Sequence, residues 1–170
     1  MDARREIEPT PMKNRTTVER KSERELVATR TFNAPARILF EAWTKPELFK
    51  RWWVPKSMGM TLLSCEMDVR VGGRYRLEFA HGDSQAAFFG TYKEVTPHSR
   101  LVWTNEESDE GSVTTVTFAE KGGKTLLVMH ELYPSKEALD AAGTGAADMM
   151  SETFEQLDEL LVALGASVGR

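Results

Sequence analysis

The chain has little of the chemistry that builds disulfides or metal sites. Its 170 residues include one cysteine, Cys65, and three histidines. A single cysteine excludes an intramolecular disulfide, and the histidines and carboxylates show no metal-ligand spacing. Cys65 lies in an apolar–polar alternation, and free cysteines are usually small buried groups, so we interpret it as a structural thiol. We predict neither a metal ion nor a cofactor.

Long apolar runs and an excess of positive charge are also absent. No stretch approaches the roughly 18 consecutive apolar residues of a membrane-spanning helix, and the first residues lack the apolar region of a secretory signal. The formal net charge of −4 provides no general attraction for nucleic acid. The sequence contains neither a nucleophile elbow nor a phosphate-binding loop. We therefore expect a cytoplasmic protein that binds neither membranes nor nucleic acid.

The composition that is present indicates one domain preceded by a charged segment. With 41% hydrophobic and 28% charged residues, a chain of this length can bury a sizeable core. Residues 1–24 mix both signs of charge with two prolines and few apolar side chains, so burial cannot offset their ordering entropy. We predict a flexible tail over residues 1–24 and a folded domain over residues 25–165.

Apolar and polar residues alternate with a period of two through the middle of the chain, which indicates β-strands. A first strand is predicted at Glu25–Phe32, followed by short helices at Ala36–Trp43 and Pro46–Trp52. Six further strands are separated by short turns, so the predicted sheet is antiparallel. These strands are predicted at Thr61–Val69, Arg74–Ala80, Ala86–Val95, Leu101–Glu106, Val113–Ala119 and Thr125–Leu132.

The last part of the chain is predicted to form a long amphipathic helix with an acidic outer face. A shorter helix at Lys136–Ala142 and a break at Gly143–Gly145 precede it. A sheet of about seven strands curls around such a helix and leaves a gap beside it, which predicts an α+β fold with an apolar pocket. The apolar stripe of the helix consists of Met150, Phe154, Leu157, Leu161 and Leu164.

Several short motifs occur in an order and at spacings that are specific when taken together. They are Phe32-Asn33-Ala34-Pro35, Ala42-Trp43-Thr44-Lys45-Pro46-Glu47, Trp52-Trp53, Asp68-Val69-Arg70-Val71-Gly72-Gly73-Arg74, Gly90-Thr91-Tyr92-Lys93-Glu94-Val95 and Leu101-Val102-Trp103-Thr104. Over Leu26–Leu164 the chain resembles the homologues of the C-terminal domain of the activator of Hsp90 ATPase (Aha1). The resemblance implies a START-like (Bet v 1-like) helix-grip fold, with a cavity between a curved sheet and the C-terminal helix.

Two departures from this family bear on function. Its eukaryotic members stimulate a chaperone ATPase, but here only the tail is predicted ahead of the fold, with no chaperone-binding domain. Met149-Met150 stands where the family has Gly-Trp, and the flexible thioether of Met150 is expected to soften the mouth of the cavity. The loop Val54–Met60 and the break at Gly143–Gly145 are predicted to flank this mouth and to act as gates.

Aromatic and methionine side chains near the expected gap are the predicted ligand contacts, although inward-facing rings also commonly form core. His130 is the acid–base candidate, and because neighbours on a strand point to opposite faces, only one of His130 and Glu131 faces inward. The Asp68–Gly73 motif is interpreted as a structural turn in preference to an anion site. The predicted contacts are Trp52, Trp53, Met67, Tyr75, Leu77, Phe79, Phe88, Tyr92, Trp103, Met150 and Phe154.

Three functions fit these patterns, and the sequence favours the first. It is a non-enzymatic protein that binds a small hydrophobic or aromatic ligand between sheet and helix. The second, which the family resemblance implies, is a co-chaperone-like protein that binds an Hsp90-type chaperone. The third, implied by the resemblance to the wider superfamily, is an enzyme of the cyclase or dehydratase type, which needs polar groups such as Tyr92, His130 or Glu66 inside the cavity. Both a monomer and a homodimer are compatible with the sequence.

Overall fold

The computed structural model describes residues 16–106, 111–143 and 146–165 of the chain. Within these ranges the protein has an α+β fold with eight β-strands, four α-helices and one short 3-10 helix. The strands are β1 Thr17–Arg20, β2 Glu25–Phe32, β3 Thr61–Met67, β4 Arg74–His81, β5 Ser84–Thr96, β6 Arg100–Thr104, β7 Val113–Lys121 and β8 Lys124–Leu132. The helices are α1 Ala36–Thr44, α2 Pro46–Phe49, the 3-10 helix Lys56–Met58, α3 Lys136–Gly143 and α4 Ala146–Ala163.

The eight described strands form one antiparallel sheet in the order β1-β2-β8-β7-β6-β5-β4-β3. The long strand β5 belongs to both halves of the sheet, because residues 84–91 pair with β4 and residues 92–96 pair with β6. A register shift lies between Tyr92 and Glu94, and such irregularities increase the bend of a strand. The sheet curves around α4, so the predicted helix-grip fold is confirmed.

The predicted strand count of about seven is one too low, because β1 lies within the segment that was assigned to the tail. This strand pairs with β2, with Thr17 opposite Thr29 and Arg20 opposite Leu26. Its sequence Thr-Val-Glu-Arg has one apolar side chain, Val18, so alternation does not reveal it. Backbone pairing to β2 and the contact of Val18 with the core hold it in place. Residues 1–15 of the predicted tail lie outside the described residues.

The predicted helices are present, with changes at their ends. The apolar stripe of α1 is buried and includes Leu39 and Trp43. α2 ends at Phe49 and not at Trp52, and turn hydrogen bonds continue beyond it, such as Trp53 N–H to Phe49 O at 3.2 Å. α3 ends at Gly143, and residues 144–145 of the predicted break lie outside the described residues.

The apolar stripe of α4 faces the core and fastens the helix to the sheet. Phe154, Leu157, Leu160 and Leu161 are at most 4% exposed. Each buried side chain of this kind contributes about 1.5–3 kcal/mol relative to an exposed one. Leu164, predicted as the last member, is 42% exposed because the helix ends one residue earlier. None of the helices in the described ranges combines the length and the apolar character that crossing a membrane requires.

Candidate ligand-binding site

A cavity of about 910 Å³ lies between the inner face of the sheet, α4 and the loop that follows α2. Pockets that hold small organic molecules commonly measure about 300–1,000 Å³. Most of the wall is aromatic or thioether surface. The aromatic part consists of Trp43, Phe49, Trp53, Tyr75, Phe79, Phe88, Tyr92, Trp103 and Tyr133, and the thioether part of Met58, Met60, Met67, Met129, Met149 and Met150.

Nine of the eleven predicted contact residues line this cavity. The inward face of β4 brings three of them together, because alternate residues of a strand share one side. Phe88 of β5 packs beside Phe79, with 5.1 Å between ring centroids. The nine are Trp53, Met67, Tyr75, Leu77, Phe79, Phe88, Tyr92, Trp103 and Met150.

Trp52 and Phe154, the other two predicted contacts, do not line the cavity and are fully buried in the core. The indole Nε1–H of Trp52 donates to the carbonyl oxygen of Ala42 at 3.0 Å, which holds the ring against α1. Phe154 packs edge-on against Phe32, with 5.9 Å between ring centroids. Since adjacent side chains diverge in direction, only Trp53 of the Trp52-Trp53 pair reaches the cavity.

Trp43 connects the core to the cavity wall, although it was not among the predicted contacts. Its ring centroid lies 4.7 Å from that of Trp52, 5.8 Å from that of Trp53 and 5.9 Å from that of Trp103. Trp43 is 1% exposed, and its Nε1–H makes no hydrogen bond within the described part of the chain. The place of Trp43 on the apolar stripe of α1 predicts that it is a core residue. The sequence does not predict that it also contacts the cavity.

The loop after α2, predicted to be a gate, is tied to α4 by two side chains. The buried amide of Gln156 donates to the carbonyl oxygens of Trp52 and Val54 at 2.9 and 2.8 Å and accepts from Lys56 N–H at 2.9 Å. Glu152 accepts from the backbone N–H of Ser57 at 2.9 Å and from its hydroxyl. We name Gln156 and Glu152 the latch. The loop lines the cavity through Val54, Pro55, Met58 and Met60.

The Glu152 half of the latch is expected to weaken in acid. Hydrogen bonds from the side chain and backbone of Ser57 lower the pKa of Glu152 below its usual value of 4.5. A carboxyl group with a lowered pKa in the folded state contributes stability above the usual value and loses it as the pH falls through the lowered pKa. E152Q should therefore lower the urea midpoint at pH 7, and the difference from the unmodified protein should shrink below pH 4.5. A constant difference down to pH 2.5, roughly two units below the usual value, would contradict this.

Polar side chains interrupt the apolar wall near the ends of β4, β6 and β8. The Tyr75 hydroxyl donates towards the carbonyl of Thr104 and the side-chain oxygen of Asn105, at 3.0 and 2.9 Å. The Tyr133 hydroxyl donates to Glu131 Oε1 at 2.7 Å, and burial together with the Glu131 charge raises the pKa of Tyr133. Glu131, Tyr133 and Asn105 line the cavity and were not among the predicted contacts.

The Asp68–Gly73 motif forms a turn that positions Tyr92. Gly72 has a positive φ of 83°, and its N–H donates to the carbonyl oxygen of Tyr92 at 2.9 Å. The N–H of Tyr92 donates in return to Gly73 O at 2.8 Å. A Cβ on Gly73 would lie 1.9 Å from the carbonyl oxygen of Asp68, so the turn needs glycine there. These contacts support the interpretation as a structural turn.

The three polar groups that an enzyme of the cyclase or dehydratase type was expected to need do not converge. Tyr92 lines the cavity, and burial raises its pKa, which keeps the phenol protonated at neutral pH. His130 lies on the outer face with Nε2 2.8 Å from Glu25 Oε2, and Glu66 is exposed. Among the described residues, no group of three or more His, Cys, Asp or Glu side chains is placed to hold a metal ion.

Cys65 is half-buried on β3, as expected for a structural thiol. Burial raises its pKa to about 11, so the thiol is protonated at neutral pH. The thiolate is the reactive form of cysteine, and a raised pKa makes it scarce. This arrangement supports a packing role for Cys65.

Comparison with protein families agrees with this architecture. The model of the family described as Activator of Hsp90 ATPase homolog 1-like protein matches residues 33–162. The chain belongs to this family. The match spans the fold from the turn after β2 to the last turn of α4, which includes every described residue that lines the cavity. No curated protein shows significant similarity to this Activator of Hsp90 ATPase homolog 1-like chain.

Solved structures from several bacteria resemble this family member over most of its length. A protein from Rhodobacter sphaeroides is 25% identical, with 88% of this chain and 99% of that chain covered at a TM-score of 0.80. The protein Ms6760 from Mycobacterium smegmatis is also 25% identical, with 88% and 99% covered at a TM-score of 0.74. The protein NE0264 from Nitrosomonas europaea, at 22% identity, 86% and 99% coverage and a TM-score of 0.78, shares the fold.

Proposed function

We propose that this Activator of Hsp90 ATPase homolog 1-like protein binds a small hydrophobic or aromatic molecule in the cavity between sheet and α4. The observation that carries the proposal is the cavity of about 910 Å³ with a wall of rings and thioethers. Burial of apolar ligand surface against such a wall contributes roughly 25 cal/mol per Å² removed from water. Because the rings of the wall are already packed against one another, the site is largely pre-formed. These side chains therefore lose little conformational freedom on binding.

Release of the latch gives the ligand a route into the cavity. The loop between Val54 and Met60 forms part of the cavity wall, and it is held to α4 by the side chains of Gln156 and Glu152. Breaking a few hydrogen bonds at one loop costs far less than unfolding the domain. Ligand exchange then proceeds by transient release of this loop from α4, while the sheet and α4 stay in place.

Filling part of the cavity from α4 is expected to weaken binding. M150W places a larger side chain in the cavity, whereas V162W makes the same kind of change at a position that is 52% exposed on the same helix. The fluorescence of N-phenyl-1-naphthylamine, an uncharged apolar probe, measures occupancy in a titration. We expect a loss of affinity of about tenfold or more for M150W, or about 1.4 kcal/mol, and little change for V162W. Equal affinity in both variants would contradict the proposal.

A co-chaperone-like role is the second candidate, and the family match favours it. The matching family is described by its relation to an activator of Hsp90 ATPase. Such a role requires binding to an Hsp90-type chaperone and a change in its rate of ATP hydrolysis. Isothermal titration and a coupled ATPase assay with a purified bacterial chaperone of this type test it, and no binding at high micromolar concentration would exclude it.

A further inference from the structure

Glu131 interrupts an apolar row on the inner face of β8. The preceding inward residues, Leu127 and Met129, are 0% and 3% exposed, and Glu131 continues their row into the cavity wall. A carboxylate at such a position loses part of its hydration, which costs free energy unless polar partners replace the water. Residues that break the local pattern of a strand in this way concentrate at functional sites.

The pairing register places Glu131 in one row with two rings of the cavity. Along this row Tyr92 lies opposite Trp103, Trp103 opposite Thr114, and Thr114 opposite Glu131. Because neighbouring strands are about 4.8 Å apart, Trp103 lies roughly 10 Å across the sheet from Glu131. A ligand of this length can place one end at the carboxylate and its body against the rings.

The charge of the wall favours a cation. Among the described residues that line the cavity, Glu131 is the only acidic side chain, and none is Lys, Arg or His. Tyr133 donates to Glu131 Oε1 at 2.7 Å and orients the carboxylate within this wall. The faces of tryptophan and tyrosine rings also attract cations, so rings and carboxylate act in the same direction.

We infer that the ligand is an amphipathic amine, with its ammonium group on the Glu131 carboxylate and its apolar body against Trp103 and Tyr92. This inference rests on the proposed function and specifies the chemical class of the ligand. A charged hydrogen bond to a carboxylate in a partly desolvated site is stronger than a neutral one. The site therefore distinguishes an amine from an alcohol or a carboxylate with the same chain.

The test compares three probes of equal chain length on the full-length protein: decylamine, decan-1-ol and decanoate. Each displaces N-phenyl-1-naphthylamine at pH 7 and low salt, where the alkylamine carries its charge as a lysine does. We expect decylamine to displace the fluorophore at about tenfold lower concentration than decanol, with decanoate weakest. E131Q should remove the preference for the amine, whereas E66Q, which removes an exposed carboxylate outside the cavity, should retain it.

The outcomes separate the inference from the proposed function. Failure of the fluorophore and of all three probes to bind would overturn both. Binding of all three with equal strength to the unmodified protein would leave the proposed function intact and overturn the preference for an amine. A preference that survives in E131Q, or that falls equally in E66Q, would assign the effect to general surface charge. The comparison on the unmodified protein needs no variant, so it stands even if E131Q folds poorly.

Discussion

Replacing Trp43 by alanine is expected to lower the free energy of unfolding by about 3–5 kcal/mol, the range for deletion of a fully buried large ring. Trp43 is 1% exposed and contacts the rings of Trp52, Trp53 and Trp103. Its Nε1–H has no hydrogen-bond partner within the described residues, so the loss should come from packing alone. Urea denaturation followed by far-ultraviolet circular dichroism measures it.

W53A is the matched control, because Trp53 lines the same cavity but is only partly buried. Its ring stacks on Phe49 at a centroid distance of 4.7 Å, and water can fill part of the space it leaves. We expect W53A to lose less stability than W43A and to bind N-phenyl-1-naphthylamine more weakly than the unmodified protein. Equal destabilisation by the two substitutions would contradict the separation of core and cavity wall.

Replacing Gln156 by leucine is expected to cost about 2–4 kcal/mol, because each buried backbone group left without a partner costs about 1–3 kcal/mol and water re-enters part of the loop. Leucine is an uncharged side chain that fills part of the same space, branches one carbon earlier, and cannot make the hydrogen bonds to Trp52 O, Val54 O and Lys56 N–H. The Lys56 amide should lose protection in hydrogen exchange. An N-phenyl-1-naphthylamine complex should dissociate faster, because the loop lines the cavity.

E155Q provides the control for the latch, since Glu155 is an exposed neighbour on α4. Because the Glu155 charge also acts on the buried Arg30, E155Q should lower stability slightly, but it should leave Lys56 exchange and the dissociation rate unchanged within error. If Q156L lowered stability without altering Lys56 exchange or probe dissociation, the amide would stabilise the core but would not control access to the cavity.

Alternation of apolar and polar residues predicted seven of the eight described strands, and the short turns between them predicted that the sheet is antiparallel. Tyr75, Leu77 and Phe79 alternate with charged residues on β4, and the structure places all three inside. β1 escaped prediction because its single apolar residue, Val18, gives no alternation, and edge pairing to β2 depends on backbone groups that every sequence shares. Alternation reflects the burial of one face of a strand, so it gives no signal for a strand that is held mainly by backbone hydrogen bonds.

The cavity wall was predictable in outline, because large rings and methionines near a curved sheet tend to face the gap. The sequence did not show in which direction each ring points. Trp52 and Phe154 are drawn into the core by a hydrogen bond to Ala42 and by packing on Phe32, contacts that spacing along the chain does not reveal.

Glu131 is a second case in which the sequence alone did not determine the direction of a side chain. The sequence required one of His130 and Glu131 to face inward, but only the register of β8 decides that it is Glu131. The partner of the outward His130 is Glu25, which lies far away in the sequence on β2. The pairing of β8 with strands distant in the sequence therefore determines that Glu131 faces the cavity, which local sequence patterns did not decide.

The central claim, that the cavity takes up an apolar molecule, is tested most directly by methyl-methionine NMR. Six of the eight methionines line the cavity: Met58, Met60, Met67, Met129, Met149 and Met150. Titration of protein labelled with 13C at the methionine methyl groups with N-phenyl-1-naphthylamine should shift these six resonances together, because ring currents act over short distances from the bound probe. Saturation of the probe signal with all six resonances unmoved would place binding elsewhere and contradict the account.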